Sequence, residues 1–307
     1  MRIAVMGAGG VGGYFGARLA AAGADVAFVA RGRHLAAMVN EGLRVESACG
    51  DLHLKPVQAS DDAADIGPVD VVLFAVKLWS TEEAALACRP LVGPGTVVIG
   101  LQNGVTGLDT LTGVLGPEVV AGGSAHIAAT IAAPGVIRHT GTMARITYGE
   151  LDGRAPDRLL PFHELAQRAE FDAVLADDVR RVIWEKFAFL APLSGITALC
   201  RLPIGPIRAV PETRALFLDA VAEVAAVARA RGVAVAPDLP QRIDTLIDGL
   251  VPEMKSSMLQ DLERGGRIEL PWLSGAVVEQ GLALGVPTPV HRTIAAALAP
   301  WRNGPPH

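Results

Sequence analysis

The sequence predicts an α/β protein with a doubly wound N-terminal domain followed by an all-helical C-terminal domain. Three observations carry this. Short, unbroken apolar runs alternate with helical spacings through the first half. A glycine-rich turn joins the first run to the first helix. After about Asp177 the runs give way to long helical patterns punctuated by Pro and Gly. The expected domains are residues 1–176 and 177–307.

The first run is Arg2–Met6, followed by helical spacing over Val11–Ala22. Asp25–Ala30 is a second run and His34–Asn40 a second helix. Val69–Val76 and Thr96–Gly100 are further runs, and Val119–Ala121 a weaker one. Strands buried on both faces read as continuous apolar runs rather than as alternation, which points to a parallel sheet covered by helices. Gly135–His139 and Ala144–Tyr148 read as hairpin strands at the edge of that sheet. His126 and His139 fall in this region and read as structural or exposed, not as acid–base groups. In the second half, helices are expected over Val179–Leu199, Glu212–Arg231, Pro252–Glu263, Leu270–Leu284 and Val290–Leu298.

Composition narrows the function classes. Of 307 residues, 50% are hydrophobic and 19% charged, which excludes a disordered chain. A formal net charge of -5 offers no basic surface for nucleic acid. The mean hydropathy of +0.36 raises the question of a membrane. However, the most apolar stretch on this reading, Ala215–Ala236, carries Asp219, Glu223, Arg229 and Arg231. The N-terminal run is too short for a signal peptide. Cys49, Cys88 and Cys200 form no CxxC pair, so neither metal nor disulfide is indicated and a cytoplasmic location is expected. A homodimer face is compatible with the Ala- and Val-rich helical domain.

Gly7-Ala8-Gly9-Gly10-Val11-Gly12 matches the G-x-G-x-x-G pattern between strand and helix. Gly7 permits the tight turn, Gly9 lets the backbone approach a pyrophosphate, and Gly12 lets helix and strand pack closely. The helix N-terminus adds free N–H groups and a partial positive charge. This is the fingerprint of a Rossmann-type dinucleotide site. An NAD site usually places an acid about 20 residues on. The second run instead ends in Arg31, with Arg33 beside it. A guanidinium suits a 2′-phosphate, so the expected cofactor is NADP(H).

Three more segments complete the pattern: Ala75-Val76-Lys77, Gly100-Leu101-Gln102-Asn103-Gly104 and Trp184-Glu185-Lys186. Together with the glycine turn, Arg31, Ser256-Ser257-Met-Leu-Gln-Asp261 and Arg267-Ile-Glu269, they resemble the ketopantoate reductase (2-dehydropantoate 2-reductase) family along nearly the whole chain. The resemblance implies NADPH-dependent reduction of a 2-keto acid to a 2-hydroxy acid. It implies Lys186 as general acid and Glu269 as the group that orients it. Asn103, Lys77, Ser257 and Ser194 would line the substrate side. Lys77, Asn103 and Glu269 would also meet the cofactor, in a cleft between the two domains. The chemistry is reasonable on its own terms, because a ketone receiving hydride builds negative charge on oxygen, which an ammonium stabilises and protonates.

The sequence departs from the pantoate-specific pattern at three places. Asparagines expected four and eight residues after the lysine are Leu190 and Ser194. An expected Asn-Gly pair is Ser274-Gly275, with Trp272 just before it. Losing an amide partner for a buried polar group costs ~1–3 kcal/mol. This points to altered substrate recognition, with a more apolar carbonyl compound as one alternative. A non-enzymatic NADP(H)-binding redox sensor is the alternative from another class.

Overall fold

The computed structural model describes residues 1–306. It divides into two compact units. One comprises Met1–Asn103 and Gly107–Val179; the other comprises Gly104–Thr106 and the chain from Arg180 onward.

The first unit contains β1 (Arg2–Met6), α1 (Gly10–Ala21), β2 (Asp25–Val29), α2 (Gly32–Glu41), β3 (Leu43–Ser47), β4 (Leu52–Leu54) and β5 (Gln58–Ser60). β6 (Val69–Phe74), α3 (Thr81–Cys88), β7 (Val92–Gly100), α4 (Gly107–Leu115), β8 (Val120–Ala133), β9 (Val136–Gly149), α5 (Leu160–Ala166) and β10 (Asp172–Leu175) follow. Among the described residues the strands form one sheet in the order β4-β3-β9-β8-β7-β6-β1-β2-β5, with β10 also on β9. The run from β5 to β8 is parallel; β8–β9 and β3–β4 are antiparallel.

The continuous apolar runs have a direct cause. Ile3 and Val5 join a core with Tyr14, Phe15 and Phe28. Ala4 and Met6, pointing the other way, join a second core with Val29, Val72 and Phe74. Both faces of β1 are therefore buried, and neither can be polar. A buried guanidinium secures α1: Arg18, 1% exposed, donates to Glu170 at 3.0 Å and to the carbonyls of Cys49 and Gly50.

The hairpin expectation needs correction. β8 and β9 are 14 residues each and lie inside the sheet. β3 pairs with the start of β9 and β10 with its end. The strands that cover this edge, β3 and β10, are short and were not read from the sequence. His139 is buried here, bonded to Ser47 Oγ at 2.9 Å and the Met143 carbonyl at 3.1 Å. Both its ring nitrogens are used structurally. His126 is half-buried on β8.

The second unit is built from α6 (Val179–Cys200), α7 (Ile204–Ala209), α8 (Pro211–Ala230), α9 (Leu239–Asp248), α10 (Ser257–Glu263), α11 (Ser274–Leu284) and α12 (Pro289–Leu298). The expected helix over Pro252–Glu263 starts only at Ser257. The Pro252 and Met254 carbonyls instead accept from Gly205 and Ile204 at the start of α7. The expected helix over Leu270–Leu284 is a 3-10 turn at Leu270–Trp272, then α11. Among the described residues, the helix long and apolar enough to cross a membrane is α6, not Ala215–Ala236. It is a core helix, with 67% of its most apolar window buried in the protein.

α12 begins on a polar clamp. Glu223 of α8 accepts from the Val290 and His291 N–H groups at 2.7 and 3.0 Å. It thereby satisfies orphan donors and complements the helix dipole. The His291 ring is wholly buried and donates from Nε2 to the Ala220 carbonyl at 3.2 Å. Burial lowers its pKa from the ordinary 6.5 to about 4, against a smaller opposing effect of that hydrogen bond. The folded state thus binds this proton more weakly than the unfolded chain. The stability is fully present above pH 6.5 and is lost as pH falls towards 4, by about 3 kcal/mol. Glu223, its pKa raised mainly by burial and further by Asp219, works in the opposite sense. Comparison with His291→Gln, which keeps a donor, isolates the histidine. Urea unfolding midpoints should fall more steeply from pH 7 to 4.5 in the wild type than in the variant; parallel curves would contradict the assignment.

Candidate functional site

The glycine turn follows directly from β1. Gly7 has φ +98°, which favours glycine, and a Cβ there would lie 2.9 Å from Val76 Cγ1. A Cβ on Gly10 would lie 2.1 Å from the Ala129 carbonyl, and one on Gly12 would lie 2.2 Å from the Gly7 carbonyl. These three positions are glycine because the fold leaves no room. Gly9 differs: it is extended, and a Cβ there would meet nothing within 4 Å. No packing inside the protein requires Gly9 to lack a side chain. It N-caps α1 without any side-chain cap, and the first N–H groups of α1 have no partner in the helix. An open backbone approach to uncapped donors fits a pyrophosphate. The residues present therefore fit a dinucleotide, with Ala8 and Val11 completing the turn.

His34, in the first turn of α2, braces this loop. Its Nε2 bonds to the Ala8 carbonyl at 2.9 Å, and its Nδ1 accepts from the Gly135 N–H at 3.0 Å. These partners specify the neutral Nε2–H tautomer. Burial lowers the pKa and favours the same form. No local sequence pattern marks this role, because Gly135 lies 101 positions away.

Arg31 is exposed and N-caps α2. Its Nη2 lies 2.9 Å from Glu83 Oε1 on α3. Arg31 lies just after the end of β2, and its acidic neighbour Glu83 has no mark in the sequence pattern. Arg33 is exposed. Lys77 is exposed at the end of the β6 segment, its ammonium 5.5 Å from the Trp79 ring centre. Asn103 is half-buried after β7. The loops bearing Lys77 and Asn103 are stapled by Gln102. Its Nε2 donates to the Val76 carbonyl at 2.9 Å and to Thr81 Oγ1 at 2.8 Å. Gln102 stood in the motif, but its positioning role was missed.

In the helical unit, Lys186 lies two turns into α6. Trp184 and Phe187, 6% and 1% exposed, pack edge to face at 5.7 Å beside it. Lys186 is half-buried. Desolvation lowers its pKa from 10.5 to about 8, and the charge of Glu269 limits the fall. Glu269 is 7% exposed, and its carbonyl accepts from the Trp272 and Leu273 N–H groups. The structure thus brings Lys186 and Glu269 into electrostatic contact.

The serines are arranged differently from expectation. Ser257 is exposed at the start of α10. The buried serine is Ser256, which caps α10 by accepting from Leu259 N–H at 3.0 Å and bonds Thr197 Oγ1 of α6 at 2.7 Å. Ser194 and Ser274 are 0% exposed, and neither hydroxyl has a protein partner among the described residues. Leu190 and Trp272 are half-buried.

Comparison with known proteins gives the frame for these groups. Residues 3–153 match the family model "Ketopantoate reductase PanE/ApbA", and residues 178–301 match its C-terminal counterpart. The chain is 36% identical to a 2-dehydropantoate 2-reductase of Mesorhizobium japonicum, over 97% of this chain and 96% of that one. A crystal structure of a PanE/ApbA family ketopantoate reductase from Ralstonia eutropha superposes with TM-score 0.89 at 34% identity, covering 98% of both chains. D-mandelate dehydrogenase, solved with NADH and anilino(oxo)acetate, shares the fold with TM-score 0.90 at 19% identity, over 98% of both chains. The chain belongs to the ketopantoate reductase family of nicotinamide-dependent 2-keto acid oxidoreductases.

Proposed function

We propose that this protein reduces a 2-keto acid to the 2-hydroxy acid with NADPH, using Lys186 as general acid. Residues 1–176 would hold the cofactor and supply Lys77 and Asn103 to the substrate side, and residues 177–307 would supply the other substrate groups and the proton-transfer groups. The observation that carries this reading is the placement of Lys186 on α6 beside the buried Trp184 and Phe187, with the buried Glu269 close enough to act on its charge, which together hold its pKa at about 8. A general acid works best with a pKa near the operating pH. At pH 7 such a lysine is ~90% protonated yet gives up its proton far more readily than an ordinary lysine.

The glycine turn and the N-terminus of α1 would bind the pyrophosphate, and Arg31 the 2′-phosphate. When bound, the reduced nicotinamide supplies hydride to the carbonyl carbon. Lys186 stabilises the charge growing on the carbonyl oxygen and transfers a proton to it. The neutral amine then recovers a proton from water. Glu269 holds the lysine and keeps its proton affinity from falling further. Lys77 and Asn103 line the substrate side.

Several groups support a substrate bulkier and more apolar than ketopantoate. Lys186, Leu190 and Ser194 follow one another at four-residue steps, which places them along one face of α6. Leu190 puts an isobutyl group next to the lysine on that face, and Ser194 has only a short enclosed hydroxyl. D-mandelate dehydrogenase shows that this fold accommodates a ligand bearing an aromatic ring. Branched and aryl 2-keto acids are accordingly the expected substrates.

Three measurements test these points. Lys186→Ala should lower kcat/KM for keto acid reduction by about 10²–10⁴-fold, with NADPH affinity unchanged. In the wild type, kcat/KM should be flat below pH 8 and fall tenfold per unit above it, as the acid is lost. A variant of near wild-type activity, or a profile flat to pH 10, would overturn the role. In a panel of 2-keto acids, aryl and branched members should exceed ketopantoate. A kcat/KM for ketopantoate above about 10⁴ M⁻¹s⁻¹ and above those members would overturn the substrate assignment.

A further inference from the structure

The Arg31–Glu83 pair joins two crossovers of the sheet. Arg31 follows β2, and Glu83 lies in the first turn of α3, after β6. β2 and β6 flank β1 on either side, so both residues stand at the carboxyl ends of the strands that neighbour the glycine turn. The Nη2–Oε1 distance is 2.9 Å, and the side chains are 63% and 66% exposed. A ligand can therefore reach both groups.

A carboxylate at this place acts in two ways. It neutralises part of the guanidinium charge that a 2′-phosphate would use. It also repels that phosphate directly, since like charges a few ångströms apart destabilise each other. An unphosphorylated ribose suffers neither effect, and its hydroxyls find a carboxylate a good acceptor. The charge of Glu83 therefore subtracts from the advantage that Arg31 gives to NADPH.

We propose that Glu83 is a cofactor-specificity residue: through its ion pair with Arg31 it blunts discrimination, so that the protein binds both NADPH and NADH. This rests on the reading of Arg31 as the 2′-phosphate group. The pair is exposed and of modest strength, so NADPH displaces Glu83 from Arg31 at a small penalty. Glu83 is not part of the reaction itself; it tunes the affinity ratio.

The test is binding, not turnover. Dissociation constants for NADPH and NADH are measured by titration calorimetry on the wild type, Glu83→Gln, Arg31→Ala and the double variant. Glu83→Gln should tighten NADPH about fivefold and leave NADH within twofold. In the Arg31→Ala background only the weaker direct repulsion by Glu83 remains, so the same change should tighten NADPH by no more than about twofold. An unchanged NADPH to NADH ratio in Glu83→Gln, weaker NADPH binding, or an equal gain without Arg31 would each overturn the proposal. If Arg31→Ala itself leaves the ratio unchanged, the 2′-phosphate reading fails instead, and the two failures are distinct.

Discussion

The proposed chemistry depends on one balance at Lys186. Desolvation drives its ammonium towards the neutral amine, and the carboxylate of Glu269 pulls it back, leaving a pKa of about 8. Removing water alone would produce a neutral amine unable to donate. A carboxylate in open water would leave an ordinary lysine, charged but a poor proton donor. Much of the helical unit serves this balance. α6 is a core helix, Trp184 and Phe187 pack around its second turn, and the 3-10 turn at Leu270–Trp272 hangs from the Glu269 carbonyl. The turn fixes the backbone from which the carboxylate projects.

The first unit is governed by a different constraint, which is space. Gly7, Gly10 and Gly12 are dictated by neighbouring backbone or side chains, whereas Gly9 is left open by the fold. His34 and Gln102 then fix the surrounding loops with neutral hydrogen bonds of ordinary length. Their rigidity matters because a site that must order its loops on binding loses affinity to that ordering. Charge is confined to the rim, where Arg31 and Glu83 remain exposed.

The sequence shows the features whose signal is local. The apolar runs of β1, β2, β6 and β7 were legible because both faces of each are buried, so burial wrote itself into consecutive residues. The glycine turn was legible because its pattern spans only six residues, although the atoms that crowd Gly7 and Gly10 belong to the distant Val76 and Ala129. Features set by distant partners were not. β3 and β10 are short strands whose pairing with β9 makes that strand internal, and no property of residues 136–149 announces it. The Arg31–Glu83 pair spans 52 positions and the His34–Gly135 bond 101. Ser256 and Ser257 are adjacent and chemically identical. Only the N-cap geometry decides which one turns inwards to Thr197. Lys186 and Glu269 were named through the family resemblance, but the desolvation that tunes the lysine appears only once α6 is packed.

The chain has four lysines, Lys55, Lys77, Lys186 and Lys255, so their side-chain nitrogens can be resolved individually by nuclear magnetic resonance. The most direct measurement is the titration of the Lys186 Nζ in the wild type and in Glu269→Gln. A midpoint near pH 8 that falls further when the carboxylate is removed is the expected result. A midpoint near the ordinary 10.5, or one indifferent to Glu269, would contradict the balance on which the account rests.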